Sequence, residues 1–383
     1  MAIHGRDDLL RTEPAHARAG NRYRPLHALA EPGQVSPLVL LSVAFTCLVI
    51  VVGIDTVLID RGLWDEGEPV WDLAHILRTA LIGVAAASVI MALVEWNGPR
   101  RSATGVPFQR FDRVFVLAIP LGAAFFVSLL AVSPRYFTRF ALEDRPVEWV
   151  SVVLLFVAAG LTVLATRQVI ARATSGRWWA VGPLGLAVLF FLIAMEEVSW
   201  FQRVLDVETP DALASNAQGE LNFHNFATGL SENGYYFGAF LALMVAPLVM
   251  QAFALSLPAP FEGFAPTPVV ALVSAPAFAF NFDMWDVILS QVAFYGAVAV
   301  LALWVINEVE SEDRWLVVVM IAATVFVQLM MLVFGHRSDL IWDATEYKEM
   351  FIPVGFAVYA LDVYRRVRQP RASSIPDVDG VDG

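Results

Sequence analysis

The chain is short of charge, of cysteine and above all of lysine. Its 383 residues include one cysteine, Cys47, and one lysine, Lys348. Cys47 lies inside an apolar run, which excludes an intrachain disulfide and any cysteine-based zinc site. Only 16% of residues are charged and 58% are apolar, whereas a globular domain has about 25% and about 45–50%. Arginine supplies nearly all the positive charge, the net charge is −12, and the chain ends in the acidic "SSIPDVDGVDG". That balance excludes nucleic acid as a partner. Lysine-poor, Asp- and Glu-rich usage with abundant Ala and Val suits a prokaryote with high internal salt or a GC-rich genome. No apolar stretch precedes Ser36, and Arg6, Arg11, Arg18, Arg22 and Arg24 fall within the first 36 residues. This segment reads as a disordered cytoplasmic tail rather than a signal peptide.

What is abundant is long apolar sequence. Several runs approach the ~20 residues that a helix needs to cross the hydrocarbon of a bilayer. The fold class is therefore all-α, a polytopic integral membrane helical bundle of about ten transmembrane spans. Residues 37–364 form the membrane domain between the tail 1–36 and an acidic disordered tail 365–383. Spans are expected near 37–58, 75–95, 113–133, 148–167, 179–199, 236–257, 267–281, 286–306, 315–335 and 347–364. The seventh, "PVVALVSAPAFAFNF", is short and broken by Pro276, so crossing and re-entry are both compatible with it. Arg100, Arg101, Arg110, Arg172, Arg177, Arg365, Arg366 and Arg368 fall on one side of these spans. The positive-inside rule makes that side, and both termini, cytoplasmic in a cell membrane. Arg135, Arg139 and Arg145, in "RYFTRFALEDR" on the other side, dissent.

The polar clusters then gather at the extracytoplasmic ends of spans. The most informative is "FLIAMEEVSWFQRVL", residues 191–205. On a continuous helix Glu196, Ser199, Trp200 and Arg203 form one stripe, with Glu197 turned about 100° away. Carboxylates at a lipid boundary are costly and by default mark function; the bland alternative is a Glu196–Arg203 pair among the headgroups. "NAQGELNFHN" supplies Gln218, Glu220, Asn222, His224 and Asn225, with Glu220 and His224 four apart and able to share a metal or a proton. His75, His224 and His336 all map to this side. Three imidazoles with nearby carboxylates are what a catalytic zinc site uses to activate water, so His224, His75, His336, Glu346 and Glu349 are the candidate metal ligands. Glu196, Glu197, Ser199 and Glu220 are the candidate catalytic groups. Asp339, Asp343 and Glu346 share a face if helical, as do Asp283 and Asp286. Arg337 and the lone Lys348 among these acids point to an anionic group such as a lipid phosphate. With Trp200, Gln202, Arg203, Gln218, Asn222 and Asn225 they make the substrate-binding set. Acids opening "LEDRPVEW" and "DATEYKE" are equally explained as helix caps.

The stretch "MEEVSWFQRVLDVETPDALASNAQGELNFHN" resembles the signature of a group of uncharacterised prokaryotic polytopic membrane proteins, approximately E-E-x-S-W-x-Q-R and then Q-x-E-x-N-x-H-N. The match covers Glu196, Glu197, Ser199, Trp200, Gln202 and Arg203, then Gln218, Glu220, Asn222, His224 and Asn225, and departs from it at Phe201, where glycine is expected. It brings no activity with it. Intramembrane Glu, Ser, Asp and His are distantly similar to the alkaline ceramidase-like hydrolases, whose His-x3-His pair this chain lacks. The acidic first loop "LWDEGEP" is similar to that of membrane glycosyltransferases, whose large extracytoplasmic domain has no counterpart here. The leading expectation is a hydrolase or transferase, possible zinc included, acting on a lipid or lipid-linked substrate, with membrane lipids as partners. The alternatives are a proton-coupled carrier titrating Glu196, Asp283 and Glu346, and an assembly factor.

Overall fold

A computed structural model of the chain describes residues 35–62, 64–96, 110–142, 144–174, 176–209, 221, 226–307, 313–340 and 342–368. The described residues are helical and contain no strand. Eight helical stretches are long and apolar enough to cross a membrane. They comprise α1 (Pro37–Ile54, ending in a π turn at Asp55–Ile59), α2 (Leu73–Glu95), α3 (Arg110–Val132), α5 (Pro146–Arg172), α6 (Val181–Glu197), α8 with α9 (Thr228–Phe240 and Ala246–Ala252, joined by a π turn), α11 (Ile288–Asn307) and α12 (Arg314–Phe334). Exposed tryptophans ring both ends of this bundle: Trp64, Trp71 and Trp342 at one, Trp96, Trp178, Trp179 and Trp315 at the other. Such belts sit at the two membrane interfaces, and the chain is a helical membrane protein.

The broken seventh segment is α10 (Pro268–Ser274) followed by a 3₁₀ turn, Ala275–Ala279. Every residue from Val269 to Val287 is buried. The last helix, α13 (Asp343–Arg368), measures its path. Thr267 donates to Asp362 at 3.0 Å, while Asp283 accepts from Thr345 at 3.0 Å. Those two positions on α13 are separated by about 26 Å of helix at 1.5 Å per residue, so the segment crosses nearly the whole bundle rather than re-entering. Irregular backbone is tolerated at that depth only inside protein, where its polar groups find partners. Asn281 Nδ2 donates to the Phe278 carbonyl at 2.7 Å and to Gln328 Oε1 at 3.0 Å, and Gln328 Nε2 donates to the Asn281 carbonyl at 2.8 Å.

Proline shapes α13 by the same rule. Pro353 has no N–H and leaves the Glu349 carbonyl without its helical donor; Ser151 Oγ, from α5, supplies one at 3.1 Å. Gly355 lets α10 approach α13. A Cβ there would collide with Ser274 Oγ and lie 2.9 Å from Leu243 Cδ1. Gly355→Ala is expected to cost about 1–3 kcal/mol by overpacking, read as a lowered thermal midpoint, with Ser274→Gly in the same chain returning part of the loss.

Two differences from the sequence reading matter most near the acidic end. The span expected from 236 begins at Thr228, because Ser231, Glu232 and Asn233 continue the helix toward other protein groups instead of lipid. The "RYFTRFALEDR" loop contains α4 (Pro134–Ala141), which buries Phe137 and Thr138 and exposes Arg135 and Arg139. Two of the dissenting arginines, Arg135 and Arg139, are thus the polar face of an amphipathic helix, and the third, Arg145, immediately precedes α5.

Charge sorts by end. Arg113 pairs with Asp313 at 3.0 Å, Arg365 with Asp112 at 3.4 Å and Arg366 with Asp362 at 2.9 Å, all at the arginine-rich end. At the opposite, acidic end, Asp72 caps α2. Its Oδ1 accepts the His75 amide at 2.9 Å and contacts His75 Nδ1 at 2.8 Å. The amide first, then the imidazole, holds the Asp72 carboxyl below its ordinary value. A lowered carboxyl stabilises the fold above the ordinary carboxylate range and loses that contribution as pH falls through its folded value. Hydrogen-exchange protection of the His75 amide is therefore expected to fall in acid, and to be low at every pH in Asp72→Ala. Unchanged protection in that variant would remove the cap from the account.

Candidate functional site

The stretch from 191 to 205 does not continue as a helix. α6 stops at Glu197, and Ser199, Trp200 and Phe201 take φ of 44°, 55° and 61°. This left-handed run reverses the chain before the short α7 (Gln202–Leu205). The single stripe expected for Glu196, Ser199, Trp200 and Arg203 is therefore absent. Phe201, where the resemblance leads us to expect glycine, sits in a conformation glycine adopts without steric cost; its ring instead packs 6.4 Å from Trp149.

The turn aims Arg203 back at the start of α5. Glu148 Oε1 accepts from Arg203 at 2.7 Å, Asp144 lies 3.3 Å from Arg203 Nε, and Glu148 Oε2 caps the Asp144 amide at 2.6 Å. Glu196 takes the Trp200 indole N–H at 2.7 Å. Gln202 is engaged by the following segment, donating to Thr209 at 2.6 Å and accepting from the Leu221 amide at 2.5 Å. Trp200 and Gln202 thus hold this corner together and do not line the cavity beside it.

That cavity is a cleft of about 610 Å³ between α6 and α8. Its deep part is apolar, with Leu186, Phe190 and Ile193 from α6 and Phe356 from α13. Leu189 and Leu192 on one lip, and Gly234, Gly238 and Ala242 on the other, are exposed, so the mouth faces the lipid side of the bundle. Its other end carries Glu148, Glu196, Glu197, Glu232, Glu346 and Glu349, with Ser199, Arg203 and Tyr235. The glutamates and Tyr235 come from the C-terminus of α6 and the first two turns of α5, α8 and α13, while Ser199 and Arg203 follow α6, Arg203 on α7. A second cavity of about 640 Å³ opens at the acidic end and is lined by Glu66, Arg145, Asp283 and Trp342 among others. The two cavities share Glu232, Glu346 and Glu349.

Glu349 Oε1 accepts from the Tyr236 hydroxyl at 2.5 Å. Lys348 is buried, with Nζ 4.6 Å from the Tyr236 ring centroid and 3.9 Å from Met284 Sδ. It borders a water-sized space beside Asn233 and Asn281 and does not line either large cavity. Asp343 accepts from Thr138 at 2.6 Å and from Ser338. Burial pushes the Glu66 carboxyl up, Asp283 adds to that, and Lys348 opposes it.

The sequence-derived set therefore divides. Glu196, Glu197, Ser199, Arg203, Glu346 and Glu349 meet in the cleft. His75 and His336 do not: His75 is held by Asp72 at the start of α2, and His336 is exposed after α12. Arg337 is exposed and donates to the Ala131 carbonyl at 2.8 Å. Asp339 precedes the first turn of α13, and Asp283 and Asp286 lie in a turn, so neither acidic set shares a helical face. Among the described residues no three His, Cys, Asp or Glu side chains are arranged to hold a metal ion. Gln218, Glu220, Asn222, His224 and Asn225 lie outside the described residues.

Sequence reading missed Glu232 and Tyr235, which precede the expected span 236–257, and Tyr236, its first residue. It also treated Glu148 as part of a helix cap, which it is, without its role as a wall of the cleft. Comparison with known protein families, with curated proteins and with solved structures finds no match to this chain.

Proposed function

We propose that this chain is a membrane-embedded hydrolase or transferase that admits a lipid or lipid-linked substrate sideways between α6 and α8. The observation that carries the reading is the shared wall: Glu232, Glu346 and Glu349 border both the lipid-facing cleft and the cavity at the acidic end. A lipid tail and a water-borne reactant can reach the same carboxylates from opposite sides. Arginine placement makes the acidic end extracytoplasmic.

The chemistry open to these groups is general acid–base catalysis. Glu349, fixed as an acceptor by the Tyr236 hydroxyl, takes the proton of the attacking water or acceptor hydroxyl. Glu197, whose charged neighbours are Glu349, Glu346, Glu148 and Glu232, gives a proton to the departing oxygen or nitrogen. A carrier has the unwound α10 segment in its favour, but the acids collect at helix ends, whereas a carrier places them near mid-membrane.

The test is turnover. Purified protein in lipid nanodiscs, presented with lipid extracts, is expected to release or transfer a headgroup or acyl group, with metal content measured on the same sample. Proton-driven uptake into vesicles without any lipid product would replace the enzyme by the carrier.

A further inference from the structure

The junction of the two cavities is unbalanced in charge. Six glutamates face the cleft with Arg203, and the second cavity adds Glu66, Asp283 and Asp343 with Arg145. Several of these acids are already engaged: Glu148 by Arg203, Asp283 by Thr345, Asp343 by Thr138 and Glu349 by Tyr236. Glu197 and Glu232 have no hydrogen-bond or ion-pair partner among the described residues; the charged groups acting on Glu197 are all carboxylates, and those acting on Glu232 are three carboxylates and the buried Lys348. Beside them the Tyr235 hydroxyl oxygen is buried without a partner, on a side chain that lines the cleft. Two open acceptors and a stranded hydroxyl, at the head of an apolar groove, define a binding site for something the protein itself does not supply.

We propose that this site recognises an amphiphile whose head carries a cationic amine. An ammonium group offers three N–H donors and no acceptor, which matches two carboxylates and the free lone pair of a phenol. It also brings the positive charge that confined carboxylates need. A phosphate head meets like charge on every side but those of Arg203, Arg145 and the buried Lys348, against nine carboxylates lining the two cavities. The apolar depth, from Leu186 and Phe190 to Phe356, takes the tail and so selects an amphiphile over a free amine. The inference rests on the reading of the cleft as a lipid entrance and adds the class of headgroup to it.

The experiment compares heads on one tail. The full chain in phosphatidylcholine nanodiscs is titrated with dodecylamine, dodecyl glucoside and dodecyl phosphate, with binding followed by native mass spectrometry. Dodecylamine is expected to bind at least about tenfold more tightly than either of the others, a difference of about 1.4 kcal/mol. Glu232→Gln and Glu197→Gln are each expected to erase most of that preference, and Tyr235→Phe to reduce it. Carbodiimide coupling of dodecylamine in the unaltered protein keeps the test independent of variant folding; the adduct is expected at Glu232 or Glu197. Equal or tighter binding of the glucoside or the phosphate overturns the proposal, as does coupling only at other carboxylates. Amine binding without any lipid turnover would sink the catalytic reading and leave this one standing. Turnover of a phosphate-headed lipid by a protein indifferent to amines would do the reverse.

Discussion

Replacing Arg78 with leucine is expected to cost about 3–5 kcal/mol, the usual penalty for stranding one member of a buried ion pair. Arg78 and Asp55 are each about 1% exposed, deep between α1 and α2. The guanidinium holds both carboxylate oxygens, Nε to Oδ1 at 2.5 Å and Nη2 to Oδ2 at 3.1 Å, and Nη2 also reaches the Asp286 carbonyl at 2.7 Å. Arg61 closes the set on the Asp286 carboxylate at 2.8 Å. Two arginines and two aspartates thus cancel where water is excluded. The π turn that ends α1 begins at Asp55 and places it in this network. Without Arg78, Asp55 must ionise unpaired or take up a proton, and α1 loosens from α2. The measurement is a denaturant or thermal midpoint in detergent for Arg78→Leu, Asp55→Leu and the double variant. The double variant is expected to recover much of the loss, since an apolar pair is often no worse than a buried ionic one. If Arg78→Leu alone leaves the midpoint unmoved, the network has no structural role. Arg78→Lys keeps the charge but not the fork, and is expected to fall between.

That network was legible in principle. Asp55 interrupts the first apolar run and Arg78 the second, and ionisable residues inside spans are the ones that demand partners. Hydropathy found the spans because lipid-facing surface needs only apolar side chains, and α1, α2 and α12 differ little from their expected limits. It placed the start of α8 late because the residues that make that turn polar face a cavity instead of lipid. The φ values of Ser199, Trp200 and Phe201 had no local warning, since none of the three is glycine; tertiary packing, with Phe201 against Trp149, overrides the local preference. Sorting acids to one end of the bundle grouped Glu196, Glu197, Glu346 and Glu349, which line one cleft. Extending the same argument to His75 and His336 failed, because sharing an end of a bundle is weaker than sharing a cavity. His75 belongs to the cap of α2, and His336 to the exposed turn after α12.

The assignment of acid and base predicts the largest functional effects. Glu349→Gln keeps the shape of the side chain and the Tyr236 contact but cannot accept a proton in the reaction, and Glu197→Gln cannot give one. Each is expected to lower kcat by about 10²–10⁴, the range of a single proton-transfer group; KM for the lipid is expected to change little in Glu349→Gln and to rise in Glu197→Gln, where the amine head also loses a partner. Because the two act in one proton cycle, the double variant is expected to lose far less than the product of the single effects. Tyr236→Phe frees Glu349 without removing its charge, and a fall of roughly tenfold is expected from the loss of a charge-assisted hydrogen bond. Changes confined to KM would instead make both glutamates binding groups only, and the amine-headed ligand their reason for being there. Full activity in Glu197→Gln would move the acid to Glu232 or Glu346, the remaining carboxylates of the cleft that the cavity at the acidic end also reaches.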